Sequence, residues 1–376
     1  MAFTYFKTPP EKRRASRGML ILFLVSVFLG LCALVVYLRI APTAEASGGE
    51  PASVRFRSPE STVSYGQVSV DYSNSAAFSK TDVYSRRASI TSILEQNSVT
   101  PETERGRLYV DCYSGETSAS VRTERASCSV TLMTVGGDFF FFHPLTLCSG
   151  WYLPTDEELV MTVVLDEYAA WQLFGATDVA GLNVELGDQV YTVCGVVRRP
   201  DDPAAREAYG DTPRVFIHET GYMLAGYEPR FTSYEILMPD PIKNFAVSQT
   251  KTALGVNETN PDVVVRDEQL RFHLDTLLSD TKGFFLRVMR RDTVLFPFWE
   301  NAALVAESKC IVLALLFTVL ASLAGVCLFV SIVLWFRIHP VTLKGIWGFF
   351  DAKIDHRRAV RYRKKERERE KKQAGE

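Results

Sequence analysis

The stretch Met161–Arg199, MTVVLDEYAAWQLFGATDVAGLNVELGDQVYTVCGVVRR, decides the expected fold of this chain. Its short β-branched run Val163–Leu165 predicts a strand, and Asp166 can cap a helix that begins directly after it. Gly175 stands where that helix would stop. A Gly-Asp pair at 187–188 then predicts a tight hairpin turn. The stretch is therefore predicted to form a strand, a short helix and a β-hairpin, and it contains no catalytic constellation.

Two long apolar segments flank this stretch at a distance along the chain. Residues 19–38 (MLILFLVSVFLGLCALVVYL) and residues 310–336 (CIVLALLFTVLASLAGVCLFVSIVLWF) carry no charged side chain. A helix of about 20 apolar residues is long enough to cross a hydrocarbon core of roughly 30 Å. A core helix of a soluble protein would show a polar face, and neither segment has one. The sequence therefore predicts two transmembrane helices.

A secretory signal is the alternative to a first transmembrane helix. Residues 44–46 (Ala-Glu-Ala) have the small-x-small pattern of a cleavage site. However, the apolar segment is long for a signal sequence, and Arg39 stands between it and that site. An uncleaved membrane anchor is therefore favoured.

The distribution of charge predicts the orientation of the chain. Residues 40–309 contain 23 Lys and Arg but 37 Asp and Glu, a net charge of −14. The tail, residues 337–376, contains 13 against 6, a net charge of +7, and the leader, residues 1–18, is also basic. Because basic segments remain on the cytoplasmic side, both termini are expected in the cytoplasm and residues 40–309 outside the plasma membrane.

The C-terminal tail has the composition of a segment that lies against lipid. Residues 341–350 (VTLKGIWGFF) are apolar and aromatic and predict an interfacial helix, and residues 357–373 (RRAVRYRKKEREREKKQ) are strongly basic. Such a segment next to a membrane span is attracted to the anionic lipids of the bilayer. Nucleic-acid binding is not expected at this position.

The segment between the spans alternates predicted strands with helices and hairpins. Strands are expected at 107–114, 127–135, 163–165, 214–218, 234–238 and 283–288, and helices at 85–95, 241–254 and 266–278. The polar residues 115–126 are expected to form a long hairpin tip. This order predicts an α+β extracytoplasmic domain at residues 67–309, joined to the first span by a flexible stalk at residues 39–66.

Four of the seven cysteines, Cys112, Cys128, Cys148 and Cys194, lie in the segment expected outside the membrane. An oxidising compartment favours disulfides, and four cysteines allow three pairings, which the sequence does not resolve. A Cys112–Cys128 bond would close the base of a predicted hairpin and leave Cys148 to pair with Cys194. Their spacings of 16, 20 and 46 residues do not match a zinc module.

The second span is preceded by residues 296–308 (FPFWENAALVAES), which favour helix. We expect one continuous helix that emerges from the membrane and enters the domain, where it can carry mechanical displacement; a simple anchor with a short extension is the alternative. Small residues four apart, Ser26 with Gly30 and Ala321 with Gly325, let helices approach closely in lipid. They are candidates for contact between the two spans or with a partner.

Familiar catalytic motifs are absent from the sequence. It contains no G-x-x-x-x-G-K-[ST], no G-x-S-x-G and no H-E-x-x-H. The five histidines are scattered, and His143 and His218 are expected to be core residues rather than metal ligands, because their neighbours are apolar. No catalytic, cofactor-binding or metal-binding residue is therefore predicted, and no enzyme activity.

Residues 130–197 resemble the MacB-like periplasmic core domain of ABC transporter permeases of the MacB/FtsX/LolC group. The match consists of a strand that ends in the turn at 135–138, an aromatic run at 139–147 and Ser149-Gly150-Trp151. It continues through VVLDEYAAWQLFG, DVAGLNVEL, a Gly-Asp turn and YTVCGVV. Residues 288–303 (VMRRDTVLFPFWENAA) look like the end of such domains in compact two-span relatives.

The resemblance implies both a fold and a role. It implies an α+β domain outside the membrane, and partners that are a separate ABC ATPase and a further permease chain. In that group, ATP-driven motion of the spans moves the outer domain. Its permeases carry three spans after the domain, whereas this chain has one, so a permease-like component is expected. The alternative is a membrane-anchored extracellular binding or sensing domain without an ATPase.

Overall fold

The computed structural model describes residues 10–46, 52–56, 63–101, 106–154, 160–257, 260–280, 294 and 296–338. The chain divides into two compact units. The membrane unit consists of Met1–Val36 and Leu316–Glu376, and the outer domain consists of Tyr37–Leu315. The predicted strand at 283–288 and nearly all of the predicted tail lie outside the described residues.

The described residues form the helices and strands of a mixed α and β fold. The helices are α1 Pro10–Tyr37, α2 Ile40–Ala46, α3 Ala52–Phe56, α4 Lys80–Gln96, α5 Phe139–Phe142, α6 Glu167–Phe174, α7 Pro203–Tyr209, α8 Glu219–Leu224, α9 Phe245–Leu254, α10 Leu274–Asp280 and α11 Phe298–Ile338. The strands are β1 Tyr65–Tyr72, β2 Val110–Arg122, β3 Ser127–Gly137, β4 Leu147–Gly150, β5 Thr162–Asp166, β6 Asn183–Leu186, β7 Gln189–Val197, β8 Arg214–His218, β9 Ser233–Pro239 and β10 Val263–Asp267.

The membrane unit contains most of α1 and the C-terminal part of α11. Both helices are long and apolar enough to cross a membrane. Ser26 is buried, and its hydroxyl donates to the carbonyl of Ala324 at 3.0 Å, while Ala321 is half-buried. A Cβ built on Gly30 or Gly325 meets no atom within 4 Å outside its own helix. Ser26 thus joins the two helices, and contact of Gly30 or Gly325 with a partner stays a prediction.

The outer domain is built on a ten-stranded sheet with the order β10-β1-β9-β2-β3-β8-β5-β7-β4, and β6 pairs with β2 and β7. The pairs β3–β8 and β5–β7 are parallel and the remaining pairs are antiparallel. Helices pack on this sheet, and the predicted α+β class is confirmed. The helix predicted at 266–278 is shorter than expected, because the β-branched run at 263–265 adds β10 to the edge of β1.

The hairpin of β2 and β3 is longer than the sequence predicts. Its strands pair from Cys112 opposite Gly137 to Arg122 opposite Ser127, so the predicted long tip at 115–126 is mostly strand. In this part of β2, exposed side chains alternate with half-buried ones. A strand with one solvated face tolerates such residues, because successive side chains point to opposite sides of the sheet.

The stretch Met161–Arg199 folds as its sequence predicts. The side chain of Asp166 accepts a hydrogen bond from Ala169 N at 2.7 Å and caps α6. Gly175 ends that helix in the left-handed region, with a φ of 74°. The turn at Gly187 joins β6 to β7, which returns parallel to β5. The two sides of the sheet are buried, since the neighbours Val163 and Val164 belong to two different core clusters.

The predicted flexible stalk is not observed in the parts of residues 39–66 that the structure describes. Ile40 and Ala44 of α2 are buried against Leu277 and Cys310. Ala52 of α3 is buried, and its N–H donates to the Gln67 side chain at 2.6 Å. Residues 40–46 and 52–56 therefore belong to the outer domain. Composition rich in Ala, Ser and Pro suggested a linker, but the small apolar residues among them pack against the domain.

Candidate functional site

The helix α11 begins inside the outer domain and continues, without a break, as the second predicted span. Its first turns place Phe298 in the core of the domain, where the ring lies 4.7 Å from that of Tyr209. Ala302, Ala303 and Ala306 are also buried. These small side chains let the helix backbone approach the rest of the domain closely. The predicted continuous helix is confirmed for residues 298–338.

Two carboxylates on this helix are buried in the domain together with an arginine. Glu300 and Glu307 are 3% and 4% exposed. Arg271 donates from Nη1 and Nη2 to the two oxygens of Glu300 at 2.8 and 2.9 Å, and from Nε to Glu307 at 3.0 Å. Arg271 Nη1 also donates to Glu268 at 3.1 Å. Arg266 pairs with Glu300 as well. We call this group, Arg266, Glu268, Arg271, Glu300 and Glu307, the Arg271 cluster.

In the Arg271 cluster, close contacts with arginine offset the cost of burying a carboxylate. Burial by itself would raise the pKa of Glu268, but the charges of Arg271 and Arg266 outweigh it and lower the pKa. For Asp71, burial outweighs the attraction of Arg266, 3.6 Å away, and raises the pKa to about 6. The planar guanidinium of Arg271 meets Glu300 through two parallel bonds, the arrangement in which a charged hydrogen bond is strongest.

A second polar group joins α11 to the sheet. Trp299 Nε1 donates to Glu235 Oε1 at 2.9 Å, and His143 Nε2 lies 2.7 Å from the same oxygen. Gln67 Nε2 donates to Glu235 Oε2 at 3.0 Å. The imidazole of His143 stacks on the indole of Trp299, with the ring centroids 4.0 Å apart. Together with Cys112, which faces Glu235 across the pair of β2 and β9, these residues form what we call the Glu235 site.

The two histidines singled out in the sequence have polar partners. His143 is bound to Glu235, and the ring of His218 accepts a hydrogen bond from Thr220 N at 3.3 Å at the start of α8. His218 is buried and His143 is half-buried, and both rings have hydrogen-bond partners, as expected of core histidines. Sequence reasoning missed the Glu235 site because its members come from five separate elements. The one available signal was Trp299 beside Glu300, at the start of a helix that becomes apolar after Lys309.

A Cys112–Cys128 bond, one of the pairings that the sequence leaves open, is not formed. Cys112 lies opposite Gly137 and Cys128 opposite Val121 in the β2–β3 ladder, so the two cysteines are nine residue pairs apart. At about 3.4 Å per residue that is on the order of 30 Å, whereas the Cα atoms of a disulfide lie about 4.4–6.8 Å apart. The two cysteines lie at opposite ends of the hairpin because β2 extends through residues 115–122.

The remaining predicted pair, Cys148 with Cys194, is also not formed. Cys148 packs with the core cluster that contains Val163, and Cys194 with the cluster on the other side of the sheet. All seven cysteines are free thiols. Burial raises the pKa of the Cys194 thiol to about 11, so this thiol is protonated and packs as a small apolar residue.

A cavity of about 370 Å³ lies beside the Glu235 site within the outer domain. His143 and Trp299 form part of its wall. Arg199 also lines it and is buried; its Nε and Nη2 have no hydrogen-bond partner among the described residues. Asp201 and Asp202 line the same cavity. The cavity therefore combines an aromatic wall with both signs of charge.

Solved structures similar to this chain include a periplasmic region and an extracellular domain. The periplasmic region of MacB from Actinobacillus actinomycetemcomitans is 15% identical, with a TM-score of 0.37 over 54% of this chain and 89% of that one. The extracellular domain of YknZ, a noncanonic ABC-type transporter from Gram-positive bacteria, is 13% identical, with a TM-score of 0.36 over 53% and 99%. A domain of a permease protein from Porphyromonas gingivalis is 12% identical, with a TM-score of 0.29 over 54% and 88%.

No family model and no curated protein matches the chain. At these identities and TM-scores, the likeness carries no conclusion about what the chain binds or moves. The chain is thus similar in part to the periplasmic region of MacB and to the extracellular domain of YknZ.

Proposed function

We propose that this protein is a membrane-integral, permease-like component of an ABC transporter complex, in which a separate ATPase drives motion of the spans and α11 carries that motion to the outer domain. Both termini lie in the cytoplasm in this proposal, as the charge distribution predicts. The chain itself catalyses nothing. The observation that carries the proposal is the Arg271 cluster, which fixes the first turns of α11 to the domain.

A helix that transmits motion must not slide or rotate on the body that it moves. Glu300 and Glu307 lie seven residues apart on α11, and Arg271 holds both of them. Removing one partner of a buried pair costs about 3–5 kcal/mol, because it leaves a charge unpaired away from water. Displacing α11 along its axis would break both pairs at once. A simple anchor needs only apolar contacts, so the buried ion pairs favour the transmitting role over the anchor.

The energy source is expected on another chain. The sequence contains no G-x-x-x-x-G-K-[ST] motif, and an ATPase of the P-loop type needs one to hold the phosphates of ATP. The resemblance to the MacB/FtsX/LolC group supplies the class of partner, an ABC ATPase with a further permease chain. Lipid is the other expected partner, through the basic tail at 337–376.

Purification from native membranes tests the complex. The full chain, carrying an affinity tag, is extracted in mild detergent, and we expect an ABC ATPase to copurify at a fixed stoichiometry. Its ATP hydrolysis should be sensitive to vanadate. Recovery of the chain alone, at every detergent concentration that keeps it monodisperse, would contradict the proposal and favour the binding or sensing domain.

A reporter on the outer domain tests the motion. A fluorophore is attached at Arg125→Cys, in the exposed turn between β2 and β3, and energy transfer to a lipid dye is followed in proteoliposomes that contain the copurified complex. ATP with vanadate should change the transfer efficiency. In Arg271→Met the change should be lost while the ATPase still copurifies, whereas the exposed Arg206→Met should behave as wild type. An unchanged signal in the wild type would contradict the proposed motion.

A further inference from the structure

Three side chains with metal-binding atoms meet in the core of the outer domain. Cys112 of β2 and Glu235 of β9 are direct partners in the antiparallel ladder, so their side chains point to the same face of the sheet. His143, directly after α5, reaches the same point. One ligand atom from each, the cysteine sulfur, an imidazole nitrogen and a carboxylate oxygen, lies within 4.8 Å of the other two.

We propose that Cys112, His143 and Glu235 bind a transition-metal ion of the zinc class. Thiolate, imidazole and carboxylate are the three side-chain ligands that Zn²⁺ uses. Calcium and magnesium ions take oxygen ligands, and this set has one oxygen donor among three. With three protein ligands, a tetrahedral ion keeps a fourth position for water or another ligand.

The distance between the histidine and glutamate ligands requires only a small adjustment, and the Cys112 sulfur lies within 4.8 Å of both. His143 Nε2 and Glu235 Oε1 are 2.7 Å apart, joined by a hydrogen bond. Two ligands of a tetrahedral zinc ion, each bound at about 2.0–2.2 Å, are about 3.3 Å apart. A rotation of the Glu235 carboxylate that moves its oxygen by a fraction of an ångström therefore makes room for the ion. The metal takes the place of the proton that the nitrogen and the oxygen share.

Neighbouring residues orient the ligands, as outer partners do in established metal sites. Gln67 Nε2 and Trp299 Nε1 donate to the two oxygens of Glu235. The ring of His143 contacts the indole of Trp299, with centroids 4.0 Å apart, and the ring of Phe139, at 5.1 Å. The imidazole of His143 and the carboxylate of Glu235 are thus held in place before any ion binds.

The cavity of about 370 Å³ supplies an access path. His143 lies in its wall and is half-buried, whereas Cys112 and Glu235 are buried behind it. An ion that enters from the cavity meets the imidazole first. Burial, and then the carboxylates of Glu235 and Asp111, raise the pKa of the Cys112 thiol, so the ion must displace a proton from sulfur as it binds.

Titration with Co²⁺ tests the site directly in the full chain in detergent. Cobalt is a spectroscopic substitute for zinc, and a thiolate–cobalt bond gives a charge-transfer absorption band that oxygen and nitrogen ligands do not give. We expect one equivalent of Co²⁺ to bind with this band, and Zn²⁺ to displace it. Absence of saturable binding, or a spectrum without the thiolate band, would overturn the proposal. The experiment needs no ATPase and is independent of the proposed function.

Single substitutions distinguish binding at the proposed site from nonspecific binding of metal ions elsewhere on the protein. Cys112→Ser should remove the band and weaken Zn²⁺ binding by more than 10-fold. Trp299→Phe, which removes a donor to Glu235, should keep the band and weaken binding by about 10-fold, the lower end of the effect of outer partners. Cys194→Ser, a buried cysteine in the same core cluster as Cys112, is the matched control and should bind as wild type. A band that survives Cys112→Ser and disappears in Cys194→Ser would overturn the assignment.

Discussion

Two groups of buried charges lie in the same domain and are paired very differently. In the Arg271 cluster, one guanidinium donates to three carboxylates at 2.8–3.1 Å. Beside α6, the closest atoms of Asp166 and Arg199 are 4.0 Å apart. There the guanidinium of Arg199 lies over two aromatic rings, with its Cζ 3.9 Å from the ring centroid of Tyr168 and 5.0 Å from that of Tyr209. We call Asp166, Tyr168, Arg199, Tyr209 and Arg214 the Asp166 cluster.

The two clusters differ in which force decides the protonation of the carboxyl group. At Glu268, the opposite charges of two arginines outweigh burial, and the pKa is lowered. At Asp166, burial outweighs the capping N–H groups and the two arginines, and the pKa is raised to about 6. The direct contacts of Arg271 with Glu268 therefore accompany a lowered pKa, whereas at a separation of 4.0 Å burial remains the larger effect on Asp166 and its pKa is raised. The Arg271 cluster is suited to hold a helix, and the Asp166 cluster to respond to pH.

The largest effect is expected when the Arg271 cluster loses its centre. Arg271→Met leaves three buried carboxylates without their common partner, so the free energy of unfolding should fall by about 3–5 kcal/mol. Denaturant unfolding of the full chain in detergent, followed by circular dichroism, measures the change. Arg125→Met, on an exposed turn, is the control and should change stability by less than about 0.5 kcal/mol. Equal stability of the two variants would show that the buried pairs contribute nothing.

The next effect depends on pH and belongs to Asp166. Its carboxyl pKa rises from 3.8 to about 6 on folding, so the fold favours the protonated form. That contribution to stability is complete below about pH 3.8 and is lost as pH rises through about 6. Since one pKa unit corresponds to about 1.4 kcal/mol, the complete titration of this carboxyl group should change the free energy of unfolding by about 3 kcal/mol.

Asp166→Asn isolates this titration. Asparagine is also a good N-cap, so the bond to Ala169 N can be kept, and the nearby Arg199, Arg214 and Tyr209 are the same in both proteins. The free energy of unfolding of the wild type, measured from pH 4 to pH 7.5, should therefore fall by about 2 kcal/mol relative to that of the variant. Parallel curves would mean that Asp166 titrates in the fold as it does in water.

The sequence predicted the parts of the fold that rest on local signals. A helix cap at Asp166, a helix end at Gly175 and a turn at Gly187 lie within the module that they define, and the spans follow from length alone. The hairpin length and the cysteine pairing depended on where β2 ends. A polar strand with one solvated face has the composition of a loop, so its boundary was placed eight residues too early, at Ser114 rather than Arg122.

The candidate sites could not be predicted, because they depend on register between distant segments. Arg271 meets Glu300 across 29 residues, and Gln67 meets Glu235 across 168 residues. Only the spacing of Glu300 and Glu307, two carboxylates on one face of an apolar helix, hinted at a buried cation. Nothing in the sequence near Arg271 identifies it as that cation.

A smaller effect is expected where α11 meets the Glu235 site. Trp299→Phe keeps an aromatic ring against His143 but removes the N–H that donates to Glu235. Loss of a hydrogen bond to a charged group costs about 1.5–3 kcal/mol. Unfolding should be measured in the presence of a chelator, so that bound metal does not contribute. Gln67→Leu, which removes the donor to the other oxygen, provides a comparison of similar size; no loss in either variant would mean that Glu235 is stabilised by other groups.

The smallest effect concerns the aromatic contacts of the Asp166 cluster. Arg199 lies over the ring of Tyr168 at 3.9 Å, and Tyr168 is 47% exposed. A cation–π contact at an exposed site contributes about 0.5–1 kcal/mol. Tyr168→Leu should therefore lower the free energy of unfolding by about that amount, while Tyr168→Phe, which keeps the ring face, should be neutral.

A double-mutant cycle with Arg199→Met assigns this difference to the pair. If the guanidinium is stabilised by the ring, the loss in Tyr168→Leu should disappear once Arg199 is replaced. Trp171→Leu, an exposed aromatic on the same helix, is the control, and its effect should be the same with and without Arg199. Coupling of equal size at Trp171 would mean that the variants act through α6 as a whole. Coupling confined to Tyr168 would mean that the arginine of the Asp166 cluster is held by a ring, as Arg271 is held by carboxylates.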